Sequence, residues 1–154
     1  RKDIVLVTLH ADCLPLFFLD AKTPAITMAH AGWKGIYSHI VLKAADFMRY
    51  QYGTDPKDII AAIGPSIGPC CFEVQQNVAG LFQREFGEET VEERQGRLYV
   101  DLWKACLSDM AEAGIPAKSV NCARACTSCD HEHFYSHRRD KGKTGAMMAF
   151  MQLK

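Results

Sequence analysis

The 154 residues carry 48% hydrophobic and 23% charged side chains, an ordinary globular composition that excludes a disordered or collagen-like chain and suffices for one compact domain. Lysine plus arginine and aspartate plus glutamate balance at 18 each, so no overall field recruits nucleic acid or an anionic membrane, and any anion site must be local. Apolar runs such as Leu14 to Leu19 fall far short of a bilayer span, and no basic-then-apolar segment opens the chain. With seven cysteines, at least one of them unpaired, the expectation is a soluble, cytoplasmic protein whose reduced thiols are available to a metal or to nucleophilic chemistry. Arg1 in place of Met, leading straight into an apolar run, predicts that upstream sequence is missing.

The β-branched and aromatic runs Ile4 to Leu9, Leu14 to Leu19 and Ala25 to Ala29 predict three strands, the last after the turn signal Lys22-Thr23-Pro24. Apolar residues then recur at helical spacing from Ile36 to Tyr52, and Gly53 supplies the stop. Ile59 to Ile63 is a short buried strand running into the Gly- and Pro-fixed loop Gly64 to Cys71. A helix with Val74, Val78, Leu81, Phe82 and Phe86 on one face follows. Gln95-Gly96 turns between Val91 to Arg94 and Arg97 to Val100, and Asp101 caps a helix that Gly114 closes. Ser119 to Ala123, Phe134 to His137 and Ala146 to Leu153 read as closing strands. The order is mixed α/β without repeats.

Cys13 and His30 lie 17 residues apart at strand ends, where α/β sheets usually place their sites. A thiolate and an imidazole can ligate zinc or act as nucleophile and base; a small core cysteine and an edge histidine fit the spacing as well. Cys122, Cys126 and Cys129, followed by His131 and His133, form the densest local cluster, open to an iron–sulfur centre, a structural zinc or free thiols. A zinc module ordinarily brings ligand pairs from two separate loops, and this cluster lies on one. Arg138, Arg139, Lys141 and Lys143 beside a Gly-containing turn suit an oxyanion or a solvated hairpin. The Gly64 to Pro69 loop is no nucleotide fingerprint, and its expected work is to place Cys71 and Glu73 on a shared rim.

Together, Ala11-Asp12-Cys13-Leu14-Pro15, His30-Ala31-Gly32-Trp33-Lys34-Gly35, Ile63 to Val74, Cys126-Thr127 and Phe134 to Asp140 with Thr144-Gly145 resemble the YfiH/YlmD-type family. That family was first labelled multicopper polyphenol oxidase or laccase and later assigned purine nucleoside phosphorylase activity. The resemblance runs in order from near Ile4 to the C-terminus, so residues 1–154 are expected to be one YfiH-like domain lacking its N-terminal part. It implies an α/β fold, a mixed-sheet α–β sandwich related to CNF/YfiH-like cysteine hydrolases, and a metal site of two histidines and one cysteine. Cys13 matches the cysteine and His30 the second histidine; the first belongs to an upstream Val-His-Gly-type motif that nothing in residues 1–12 matches. Two ligands alone make a weak zinc site, so the resemblance predicts a folded chain with a crippled centre. Ala146 also departs from the family, where many members carry arginine after Thr-Gly.

The implied chemistry is phosphorolysis of adenosine or inosine by inorganic phosphate to free base and ribose 1-phosphate, with adenosine deamination at the same site. Arg138 and Lys34 are the candidates for phosphate, with Arg139 beside them and Cys71 and Glu73 on the rim. Asp12, Cys13 and His30 would face the base, through Zn2+ (Cu2+ as the alternative) or directly. In deamination a zinc-bound water would attack, with Asp12 or Glu73 moving the proton; Asp12 could instead only cap its turn. Three rival functions stay open: a cysteine hydrolase using Cys13 and His30, a copper-dependent phenol oxidase, for which six histidines are few, and a non-enzymatic zinc module on Cys122, Cys126 and Cys129.

Overall fold

The computed structural model describes residues 3–154. Strands β1 (Val5–His10), β2 (Leu14–Asp20) and β3 (Ala25–Ala31) lead into helices α1 (Trp33–Tyr37) and α2 (Ile40–Tyr52). Then come β4 (Ile59–Ile63), β5 (Glu73–Val74), α3 (Gln76–Phe86), the hairpin β6 (Val91–Arg94) and β7 (Arg97–Val100), α4 (Leu102–Glu112), β8 (Val120–Cys122) and β9 (Met147–Gln152).

The central sheet has the order β3-β2-β4-β8, antiparallel except for the parallel β4–β8 pair, and so is mixed. Alternation decides which face it buries: Leu14, Leu16 and Phe18 of β2 and Ile59, Ala61 and Ile63 of β4 point inward, against Ile36 of α1, Val41 and Met48 of α2 and Met110 of α4. Each such large side chain contributes about 1.5–3 kcal/mol by leaving water. A three-stranded sheet, β5-β7-β6, packs near α3, and β1 pairs with β9 in a separate antiparallel ribbon. One face of that ribbon turns outward and exposes Val5, Val7, Leu9, Met148 and Phe150. No helix among the described residues is long and apolar enough to cross a membrane.

The local signals act as their chemistry requires. Gly53 ends α2 at φ 70°, and the Asp101 carboxylate accepts from the Lys104 N–H at 2.9 Å to cap α4. Gln95 and Gly96 both take positive φ (51° and 72°), as a two-residue hairpin turn demands.

Three expectations need correction. Val74 belongs to β5, paired with Leu98, and not to the following helix. Phe134 to His137 is not a strand: its backbone closes turns, with the Phe134 N–H donating to Asp130 O and Ser136 O accepting from the Asp140 N–H. The run from Ile36 to Tyr52 is two helices, because His39 adopts φ 55°, ψ 50° and its ring reaches Asp109 Oδ1 (2.9 Å) and Glu85 Oε1 (3.0 Å).

The His39 contact has a pH signature. The Asp109 hydrogen bond outweighs partial burial, and with Glu85 it raises the His39 pKa above its ordinary 6.5, while burial pushes the Asp109 carboxyl up. The stability His39 supplies is therefore present below pH 6.5 while Asp109 keeps its charge, and it fades both as pH climbs through the higher folded His39 value and in stronger acid as the Asp109 carboxyl, itself pushed up, is protonated. His39→Gly, which accepts the positive φ, should leave Asp109 without its histidine partner, cost about 2 kcal/mol near pH 6 and flatten the pH dependence of the urea midpoint. Equal pH profiles for both proteins would contradict this.

Candidate active site

The β1–β2 connection, Ala11-Asp12-Cys13, sits where several loops converge. Asp12 is buried and held at φ 89°, a conformation uncommon outside glycine and frequent at functional sites. Its carboxylate accepts from the Thr127 hydroxyl (2.7 Å) and the Arg138 backbone N–H (2.6 Å), and its carbonyl accepts from the Ile67 N–H (2.9 Å). One residue thus ties together three segments far apart in sequence, and both its carboxylate oxygens have donors.

Cys13 packs beside Gly32, where a Cβ would stand 3.2 Å from its Sγ. Burial, then the Asp12 charge, pushes its thiol up, so the neutral S–H form is favoured. His30 stacks on His10 with centroids 4.6 Å apart. A carbonyl only accepts, so the His30 Nδ1–H donates to Leu9 O (3.0 Å) and Nε2 is left with its lone pair. The ring of His10 is engaged at both nitrogens, by Cys13 O (3.1 Å) and the Thr8 hydroxyl (2.7 Å), and burial, with His30 next, lowers its pKa.

A cleft of about 320 Å³ opens here. Trp33, Ile67, Phe72 and Leu102 make its apolar wall; Asp12, Cys13, His137 and Arg138 line the polar side. Arg138 Nη1 donates to Glu73 O (2.7 Å) and Cys71 O (3.3 Å), with the guanidinium 5.2 Å from the Phe72 ring centroid. One arm is anchored while the side chain stays exposed to an anion.

The remaining candidates are deployed otherwise. Every nitrogen of the Arg139 guanidinium is spent, on Asp140, Thr127 O and Phe134 O, so the expected phosphate ligand acts as a strut. The Glu73 carboxylate pairs with Arg97 at 3.2 Å. Lys34 is exposed, its ammonium 5.6 Å from the Trp33 ring. Sequence reasoning left out His137, Trp33 and Phe72. Each lies next to or inside a quoted motif, so adjacency was the available signal.

The cysteine cluster is also rearranged. Cys122 lines a different cavity with Leu107, Met110 and Arg124, while Cys126 and Cys129 are joined by Cys70 and Cys71. All four sulfurs lie within 4.8 Å of one another, a grouping able to hold a metal ion, and no other group of three such donors occurs among the described residues. Cys13 and His30 belong to no such group.

Comparison with known proteins places this geometry. The family model described as multi-copper polyphenol oxidoreductase laccase matches residues 1–154. The chain is 34% identical over 152 residues to the purine nucleoside phosphorylase YlmD of Geobacillus stearothermophilus, covering 96% of this chain and 56% of that protein. It is 36% identical over 143 residues to a purine nucleoside phosphorylase of Bacteroides thetaiotaomicron, covering 90% and 53%. The crystal structure of the hypothetical protein YfiH of Bacillus licheniformis superposes with a TM-score of 0.94 at 35% identity, covering all of this chain and 59% of that one. The chain spans about half the length of the curated relatives it matches. With the fold, the ordered motifs and the family model all agreeing over its length, the chain belongs to the YfiH/YlmD-type family described as multi-copper polyphenol oxidoreductase laccase.

Proposed function

We propose that the cleft between Arg138 and the Trp33–Phe72 wall serves the phosphorolysis of purine nucleosides, the activity named for the relatives. The observation that carries it is Arg138: a guanidinium anchored to two carbonyls, exposed on its other side, beside a cleft with an aromatic wall. Arg138, with His137 next to it, binds inorganic phosphate; Trp33 and Phe72 take the base by stacking. A phosphate oxygen attacks the sugar C1′, the glycosidic bond breaks, and its electron pair leaves with the purine. Cys13, held as a thiol, offers a hydrogen bond to the departing base. Asp12, whose oxygens are occupied, is a positioning residue for the Arg138 backbone.

Cys13 and His30 present a sulfur and a free Nε2 suited to zinc. Two donors are one short of the three protein ligands a catalytic zinc takes, so metal-dependent deamination of adenosine has no complete ligand set among the described residues. The raised Cys13 thiol weighs against a cysteine hydrolase, which needs a thiolate, although the His30 Nδ1 donation to Leu9 O orients that ring as a base would be.

The test incubates the chain, and a version extended at its N-terminus to the relatives' length, with inosine with and without phosphate, following hypoxanthine and ribose 1-phosphate by chromatography. Phosphate-dependent release by the extended version, sharply reduced in Cys13→Ala, which removes the donor, and retained in part by Cys13→Ser, is expected. Release by neither version, or release indifferent to phosphate, would overturn the reading.

A further inference from the structure

We propose that Cys70, Cys71, Cys126 and Cys129 form a structural zinc site, separate from the cleft, that pins together the two loops holding Asp12 and Arg138 in place.

The loops are already aligned by backbone. The Ser66 N–H donates to Ala125 O and the Thr127 N–H to Ser66 O, both at 3.1 Å, forming a parallel bridge. Beyond it each loop turns and brings two thiols to the shared cluster. Cys70 and Cys71 lie on a turn closed by the Cys71 and Phe72 N–H groups donating to Gly68 O, each 3.0 Å. Cys126 and Cys129 lie on a turn closed by the Asp130 N–H donating to Cys126 O at 3.1 Å. Two Cys pairs from two separate loops match the ligand number and layout of a structural zinc site, with Cys126-x2-Cys129 at the usual spacing and the consecutive Cys70-Cys71 tighter than it.

The separations suit a single ion. Cys129 Sγ is 3.5 Å from Cys70 Sγ and 3.4 Å from Cys71 Sγ, and all four fall within 4.8 Å. Tetrahedral Zn–S bonds of about 2.3 Å put sulfurs about 3.8 Å apart. The surroundings suit it too. The Gly68 N–H donates to Cys126 Sγ at 3.2 Å, the contact that orients a ligating thiolate. A Cβ at Gly68 would lie 2.7 Å from the Trp103 ring and 3.2 Å from Cys70 Sγ, so only glycine lets the loops close this tightly. On binding, each thiol releases its proton to water and the ion remains divalent, giving a centre of net charge −2. Arg94, donating to Pro69 O, and Arg138, donating to Cys71 O, bring two guanidiniums to the backbone flanking Cys70.

The links to the cleft are direct. Cys71 supplies a carbonyl that anchors Arg138, and Thr127, next to Cys126, donates to Asp12. The site belongs to the loops themselves, so it stands or falls apart from the phosphorolysis reading.

The chain, purified under reducing conditions and reconstituted with Zn2+, should hold about one tightly bound zinc, and X-ray absorption should find four sulfurs at about 2.3 Å. Cys13→Ser should keep that zinc, and Cys126→Ser/Cys129→Ser should lose at least nine-tenths of it. Gly68→Ala, which removes no thiol, should release zinc to a chelator more than tenfold faster. A zinc-free chain after reconstitution, a shell containing nitrogen or oxygen, tightly bound iron in place of zinc, or full zinc retention by the double variant would each overturn the proposal. If the double variant does not fold, the absorption spectrum of the unsubstituted chain decides alone.

Discussion

Replacing Asp12 with alanine is expected to destabilise the chain by about 3–4 kcal/mol, the largest single-residue loss outside the apolar core. Two effects add. The Thr127 hydroxyl and the Arg138 N–H lose a buried acceptor, and a side chain without a local hydrogen bond is forced to φ 89°. Two further substitutions separate them. Asp12→Gly relieves the backbone but leaves both donors unmet, at about 2–3 kcal/mol; Asp12→Asn tolerates positive φ and keeps one acceptor oxygen, at about 1–2 kcal/mol. Urea unfolding should rank the proteins Asp, Asn, Gly, Ala. Alanine as stable as glycine would mean that the backbone conformation carries no strain.

On the proposed function, Arg138→Ala in the extended version should lower phosphate-dependent release of base about 10²–10³-fold, the cost of losing the anchor that orients the attacking phosphate. Arg138→Lys should recover little of it. A lysine ammonium cannot hold the Cys71 and Glu73 carbonyls and still present a planar fork to an anion. The KM for phosphate should move more than the KM for inosine. The reverse pattern would put the anion elsewhere and leave Arg138 as a loop clasp.

What could be read from the residues, and what could not, divides by range. Strands β1 to β4, the Gln95-Gly96 turn and the Asp101 cap depend on neighbours within a few positions, and periodicity or turn chemistry reports those directly. The break at His39 is invisible locally, because its partners Glu85 and Asp109 arrive from α3 and from α4. Phe134 to His137 has strand-like composition, but Arg139 takes the Phe134 carbonyl and Asp12 takes the Arg138 N–H, leaving no ladder to join. Asp12, Cys13 and Arg138 could be named as candidates, and the structure brings all three to one cleft. That Arg139 spends itself on Asp140 and two loop carbonyls while its neighbour lines the cleft could not be inferred from adjacent identical residues. The cysteines divide for the same reason: Cys122 ends a strand and faces another cavity, and Cys70 and Cys71, which join Cys126 and Cys129, lie more than fifty positions earlier.

The outward face of the β1–β9 ribbon has a consequence for how the chain behaves as a solute. A stripe of valine, leucine, methionine and phenylalanine lies on a molecule whose formal charge at pH 7 is zero. Near neutrality no long-range repulsion keeps two such surfaces apart, so colloidal stability rests on short-range hydration alone. Shifting the pH to either side restores a net charge and the repulsion that comes with it, whereas adding a salting-out ion such as sulfate works against solubility from the apolar side.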